Sequence, residues 1–272
     1  MYAGRKRKSK RSIKLIPSEM LAIYLSRQLK DKEFGYVGTG SLVGMAACMI
    51  AQNIHAPDLS WIAGESGYIN PSPPLVKSIS GFHPNTEATK SLNAIIRYQA
   101  GGLDFYFVEV RQVDENARIN QTMPGLKCQV GTASTPFLRR AKRVYFFTTD
   151  HSPNSLCKKV DFVSGWRKWA DTKMDTILAT PKAIFHWFSD PETHFVQTPI
   201  LTKIFDEEDT EDSIREITGF NFSVSEHLSY VSKPNAVEID ALREEVDIKH
   251  YLRDLPTLEK ILKEEIQFRK TE

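Results

Sequence analysis

Two short apolar segments, Phe-Gly-Tyr-Val at 34–37 and Leu-Ser-Trp-Ile-Ala at 59–63, are separated by a helix-length stretch of small and apolar residues. Gly38-Thr39-Gly40 opens that stretch and Ala56-Pro57-Asp58 closes it. Strands so spaced cannot form a hairpin; a helix between them makes the pair parallel, with a right-handed crossover. Helix and strand signals alternate through the first hundred residues. A helix opens at Pro17-Ser18-Glu19 with Met20, Leu21, Tyr24, Leu25 and Leu29 at helical spacing, and a second is expected over 87–99. Strands rich in Phe, Tyr, Val and Ile are expected at 104–110, 143–149, 160–163, 176–179, 183–188 and 200–205. An acidic stretch at 206–212 leads into a short helix ended by Gly219-Phe220. The tail from Ala236 is helical in composition, with Leu258, Ile261, Leu262 and Ile266 in one stripe. The expected class is α/β, an open, mostly parallel sheet with helices on both faces.

A chain of 272 residues with 41% apolar and 26% charged residues can bury a sizeable core. No apolar run approaches the ~18 residues of a membrane span, and 1–14 lacks the apolar region of a secretory signal. Seven of the 36 basic residues lie within 1–14, which has no acid, so the rest of the chain is net acidic. Residues 1–16 therefore read as a basic, disordered arm before a single domain at 17–272. Beyond the arm nothing has zinc-finger spacing or an RNP-type aromatic motif, so nucleic acid is not an expected partner. Cys48, Cys128 and Cys157 are odd in number and widely spaced, which suits reduced thiols and a cytoplasmic location.

Two glycine-bearing turns carry the candidate chemistry. Gly38, Gly40 and Gly44 follow a strand and enter a helix, as a phosphate-binding turn would, but Val43 stands where a dinucleotide fingerprint has its third glycine. A nucleotide site and a tight βα turn that only brings helix and sheet together both remain open. The second turn is Gly64-Glu65-Ser66-Gly67, at the carboxyl end of a parallel strand, where open α/β sheets bind ligands. Glu65 would either bond a ribose or act on a substrate carbonyl; an exposed loop glutamate is the alternative. Ser66 lacks a nucleophile elbow, because Tyr68 replaces the last glycine of G-x-S-x-G. The seven histidines show no ligand spacing, and no metal is expected. His151 beside Asp150, and His83 before Pro84, are either site residues or structural ones.

Several blocks, taken in order, resemble the β subunit of type I CoA-transferases of the glutaconate group. They are Gly38-Thr39-Gly40, Ala56-Pro57-Asp58 leading to Glu65-Ser66-Gly67, Pro71-Ser72-Pro73, Gln112-Val113-Asp114 with Ile119-Asn120, and Lys159-Val160-Asp161-Phe162-Val163. Glu211-Asp212 with Glu216-Ile217-Thr218-Gly219-Phe220, and Leu242-Arg243-Glu244-Glu245-Val246-Asp247, complete the series. The likeness runs from about Pro17 to about Asp247. It implies a CoA-transferase-like fold, a separately encoded homologous α subunit in a heterodimer or heterotetramer, and an active site near their interface. It also implies acyl-CoA and carboxylate substrates, with coenzyme A entering as substrate and no bound cofactor.

By the same resemblance Glu65 is the catalytic glutamate, passing through an acyl-glutamyl anhydride to a glutamyl-CoA thioester. Gly38, Gly40, Gly64, Ser66, Gly67, Gly131 and Ala133 would shape the acyl-CoA pocket. This chain has Ala117-Arg118 where the family commonly has Gly-Asn, and Gly131-Thr132-Ala133-Ser134-Thr135-Pro136 where glutaconate-type subunits carry a glycine-dense loop. Relatives of this fold include decarboxylases and C–C-cleaving hydrolases, which stand as alternatives to a transferase. A non-catalytic or dinucleotide-binding protein using the Gly38/Gly40 turn is the rival of a different class.

Overall fold

The computed structural model describes residues 14–38, 41–64, 67–76, 88–89, 102–121, 137–138, 141–166, 175–188 and 198–255. In chain order the elements begin with α1 (Pro17–Ser26), β1 (Phe34–Val37), α2 (Leu42–Ile54), β2 (Ser60–Ala63), β3 (Tyr68–Ile69) and β4 (Ala88–Thr89). Then come β5 (Phe105–Glu109), β6 (Gln112–Val113), β7 (Arg118–Asn120), β8 (Arg143–Phe147), β9 (Gly165–Trp166), β10 (Asp175–Ala179), β11 (Ala183–Trp187) and β12 (Ile200–Ile204). The chain continues through α3 (Glu211–Glu216), β13 (Ser223–Tyr230), α4 (Ala236–Asp240), a π-helical turn (Ala241–Val246) and a 3-10 turn (Tyr251–Asp254). Among the described residues, ten strands form one sheet in the order β13-β12-β11-β10-β8-β5-β1-β2-β3-β4. The five central strands, β10 to β2, run parallel, and antiparallel hairpins extend the sheet on both sides.

Successive side chains of the central strands face opposite sides of the sheet. Val37, Trp61, Ala63, Phe105, Phe107, Tyr145 and Phe147 join α1 and α2 in one core; Tyr36, Ile62, Tyr106, Val108, Val144 and Phe146 enter the other. With both faces covered, these strands are near-continuous apolar runs rather than alternating ones. α2 is buried along most of its length because its small residues let it lie flat on the sheet.

α1 is fastened at both ends. Pro17 occupies its first turn, and Glu19 accepts from the Ile16 amide at 3.2 Å. Buried Glu19 also pairs with Arg243 at 2.7 Å and with Arg253 at 3.3 Å. Arg27, just past the helix, bonds Glu238 at 2.6 Å. Of the segment read as an arm, residues 14–16 are described, and Leu15 packs against the core.

The second face is covered by α3, through buried Ile214, and by a three-stranded sheet, β6-β7-β9. The strand expected at 160–163 is absent. Asp161 is instead drawn to Gln112, whose side-chain amide donates to its carboxylate at 3.0 Å, and Phe162 and Val163 are exposed. Residues 88–89 form a strand where a helix was expected; most of 87–99, and the stripe of Leu258, Ile261, Leu262 and Ile266, lie outside the described residues.

Candidate active site

The order of strands changes direction at β1. The β1–α2–β2 crossover leads to one side of it, whereas β5 pairs on the other. In such sheets the crevice beyond the carboxyl ends of the strands at this point receives the ligand. Gly38 lies in it: its amide donates to Phe107 O at 2.9 Å, and a Cβ there would stand 3.2 Å from the same oxygen. Ser41 then caps α2, its hydroxyl accepting from the Gly44 amide at 3.2 Å. Gly44 has a packing role. A Cβ at this position would meet Val37 Cγ1 at 2.9 Å, so the glycine lets α2 settle onto β1.

The second turn joins β2 to β3, which pair antiparallel with Ala63 opposite Tyr68. Both its ends are anchored. The Gly64 amide donates to Val37 O and the Gly67 amide to Ala63 O, each at 2.9 Å, and the Tyr36 hydroxyl donates to Gly64 O at 3.0 Å. Gly67 adopts φ 70°, the left-handed region that glycine enters without strain. Glu65, Ser66, Gly40, Gly131 and Ala133 lie outside the described residues. The structure therefore brings Gly38, Gly64 and Gly67 together at one crevice.

A further acid stands at the same edge, one that sequence reasoning passed over. Val37 pairs with both Ala63 and Phe107. Glu109 is two residues beyond Phe107, at the level where the Gly64–Gly67 turn leaves β2. Two strand spacings separate them, about 10 Å. Alternation places Glu109 on the face of Phe105 and Phe107, toward α2. The side chain is half-buried, and its desolvation pushes the carboxyl above the ordinary range, with the charge of Arg111 opposing this.

The blocks that carried the family resemblance also meet. Asn120 donates to the Gln112 side-chain oxygen at 2.9 Å, and the same oxygen accepts from the Asp161 amide at 3.1 Å. Buried Asp114 pairs with Arg118 at 2.7 Å. Ala117, where the family commonly has glycine, sits at φ 55°, so the backbone keeps a glycine-like shape although the side chain has changed. The last block holds α1: Arg243 pairs with Glu19, and Asp247 accepts from the Tyr251 and Leu252 amides.

His151 is structural. Its ring nitrogens lie 2.7 Å from Thr180 Oγ1 and 3.0 Å from Thr218 Oγ1, and burial lowers its pKa to about 4, so the ring is neutral. Cys48 is buried in the core, with its thiol raised far out of the reactive range, and burial pushes Cys157 up to about 11. His83 and Cys128 lie outside the described residues, among which no three His, Cys, Asp or Glu side chains gather as metal ligands. A cavity of about 410 Å³ opens elsewhere, between α1 and the ends of β12 and β13, lined by Met20, Tyr24, Phe205 and Val231. Of the four cations that line it, Arg27, Lys182 and Lys233 are paired with Glu238, Asp209 and Glu207.

The strand order and the crevice define a fold of the CoA-transferase type, in keeping with the resemblance carried by the sequence blocks. No family model and no curated protein sequence matches the chain, but solved structures do. The decarboxylase AibA/AibB is 23% identical, with a TM-score of 0.76 over 89% of this chain and 99% of the matched one. Glutaconate coenzyme A-transferase from Acidaminococcus fermentans is 20% identical, with a TM-score of 0.72 over 88% and 97%. The acyl-CoA transferase YdiF from Escherichia coli O157:H7 is 17% identical, with a TM-score of 0.65 over 85% of this chain and 47% of its own. At these identities the likeness establishes the fold. No helix among the described residues is long and apolar enough to cross a membrane.

Proposed function

We propose that this chain is one subunit of a heteromeric acyl-CoA enzyme, a CoA-transferase that moves CoA between carboxylic acids through a glutamyl-CoA thioester on Glu65. The observation that carries the reading is the anchored Gly64–Gly67 turn beside Gly38 at the switch-point crevice, in a fold shared with glutaconate CoA-transferase. Glu65 lies between those two glycines in the sequence. Its carboxylate attacks the donor thioester, the C–S bond breaks, and CoA leaves as thiolate with an acyl-glutamyl anhydride behind it. The thiolate then attacks the glutamyl carbonyl, expels the donor as its carboxylate, and leaves Glu65 as the CoA thioester. An acceptor carboxylate reverses both steps. A carboxylate is a weak nucleophile in water, so the site must desolvate it and set hydrogen-bond donors where charge develops.

The partner is a homologous α subunit, in a heterodimer or heterotetramer. In support, the chain spans about half of the YdiF transferase, and the paired name AibA/AibB marks a two-component neighbour. Coenzyme A is a substrate here, and the enzyme needs no further bound cofactor. The test is acyl-CoA given to the two-subunit complex without acceptor. A hydroxylamine-sensitive CoA adduct on the peptide containing Glu65 is expected, and is lost in Glu65→Gln together with several powers of ten in exchange rate. Exchange at the wild-type rate in Glu65→Gln refutes the reading.

The AibA/AibB likeness favours a second reading, decarboxylation of an acyl-CoA with Glu65 as a general base. That enzyme would lose ~10²–10⁴-fold in Glu65→Gln and would accumulate no thioester.

A further inference from the structure

The cavity between α1 and the ends of β12 and β13 is built from residues that the crevice at β1 does not use. Its volume of about 410 Å³ lies in the range of small-molecule pockets, ~300–1,000 Å³, and its walls are mostly apolar, as theirs are. Leu15 and Met20 line it from the start of the chain and from α1, Phe205 and Val231 from just past β12 and β13. Tyr24 stands among them, 6% exposed, with its ring edge-on to Phe205 at 5.6 Å. Among the described residues the Tyr24 hydroxyl has no hydrogen-bond partner. A polar atom without a partner is costly to enclose fully, and His186 Nε2 is the one such enclosed atom among the described residues. The Tyr24 hydroxyl therefore reaches open space, and the space that this residue lines is the cavity.

The charges around the cavity narrow the chemistry of what it can hold. Arg27, Lys182 and Lys233 are matched by Glu238, Asp209 and Glu207, and Arg27 also donates to the Ser232 and Lys233 carbonyls. Lys14 and Asp206, the other charges in the lining, are of opposite sign. An ion entering here would lose hydration without meeting an uncompensated counter-charge. A tyrosine keeps its proton at neutral pH, so the Tyr24 hydroxyl offers a donor. We propose that the cavity binds an uncharged molecule with an apolar body and one hydrogen-bond acceptor, a ketone or an ester, whose carbonyl oxygen accepts from the Tyr24 hydroxyl. The binding is non-covalent, and the inference does not depend on the transferase reading.

The test titrates the full-length chain with Prodan, a neutral fluorescent ketone whose emission reports both apolar surroundings and a hydrogen bond to its carbonyl. Saturable binding at one site per chain is expected. Tyr24→Phe keeps the ring and removes the donor. It should weaken binding about three- to tenfold and move the emission of the bound dye to shorter wavelength. Met20→Trp and Val231→Phe put side-chain volume into the cavity and should each remove saturable binding, with urea midpoints as the check on folding. Acetylnaphthalene, a smaller neutral ketone, should displace the dye. Naphthoate, of similar shape but anionic, should compete about tenfold less well or worse. No saturable binding, wild-type affinity in Tyr24→Phe or in both filled variants, or naphthoate competing as well as the ketone would each overturn the inference.

Discussion

A methyl group at position 35 would stand 2.1–2.4 Å from ring carbons of Phe105, on the neighbouring strand β5. The backbone beneath is a paired central strand, so it cannot move aside without breaking its ladder. Gly35→Ala should therefore destabilise by about 3 kcal/mol, the upper end of overpacking costs. Phe105→Leu opens the space, at the cost of a poorer fit. The double variant should be more stable than the two single losses summed, and urea midpoints of all four proteins measure that coupling. An additive result would mean that the ring is not the obstacle. Glu109 illustrates the limit of reading single residues. An acid at the end of an apolar strand looks like the boundary with water, and only the pairing of β1 with both β2 and β5 shows that it stands at the same sheet edge as the carboxyl end of β2.

At the scale of elements, α1 is held by two carboxylates whose pKa values are lowered. For Glu19, burial alone would raise the value, and the bonds from Arg243 and the Ile16 amide with the charge of Arg253 outweigh it. For Glu238 the Arg27 bond is the largest influence. A carboxyl depressed in the folded state contributes its stability above the unfolded pKa, and loses it as pH falls through the folded value. Glu19→Gln should cost about 3 kcal/mol at pH 7, because it leaves Arg243 without its buried partner. The gap to wild type should narrow as pH drops below the ordinary carboxylate range; urea midpoints from pH 7 to pH 4 check both. The elements legible in the sequence were those with enough length to show a period: α1, α2 and the central strands. β6, β7 and β9, of two or three residues each, are too short for any period. β13 escaped notice because it is a largely exposed edge strand with polar residues on both faces. Residues 160–163 misled because three β-forming side chains in four residues look alike whether the segment pairs with a strand or, as here, is held by the bond from Gln112 to Asp161.

For the whole molecule, the parallel centre and the switch point followed from one βαβ unit, while the second face depended on contacts between residues far apart in sequence. Glu65 is proposed as nucleophile from the resemblance alone; the meeting of Gly38, Gly64 and Gly67 at one crevice needed strand order. If the chain is half of an enzyme, it should bind or turn over acyl-CoA fully only with its partner. Expression alone and together with the product of an adjacent homologous reading frame, followed by gel filtration and CoA-exchange assays, tests this. Full activity from a monomer of this chain would refute it. Saturable NADH binding without response to acyl-CoA would favour the nucleotide reading of the Gly38 turn.

The link from Glu19 to Arg243 spans 224 residues, and its consequence lies in the order of synthesis. The ribosome makes α1 well before Arg243, and the cation that neutralises its buried acid arrives roughly 10–45 s later at ordinary elongation rates. Until then the helix cannot dock without stranding a charge, so its seating waits on a residue made long after it. A nascent chain halted before Arg243 would expose the apolar side of α1 to chaperones and proteases, and quality control can recognise a truncated product by that alone.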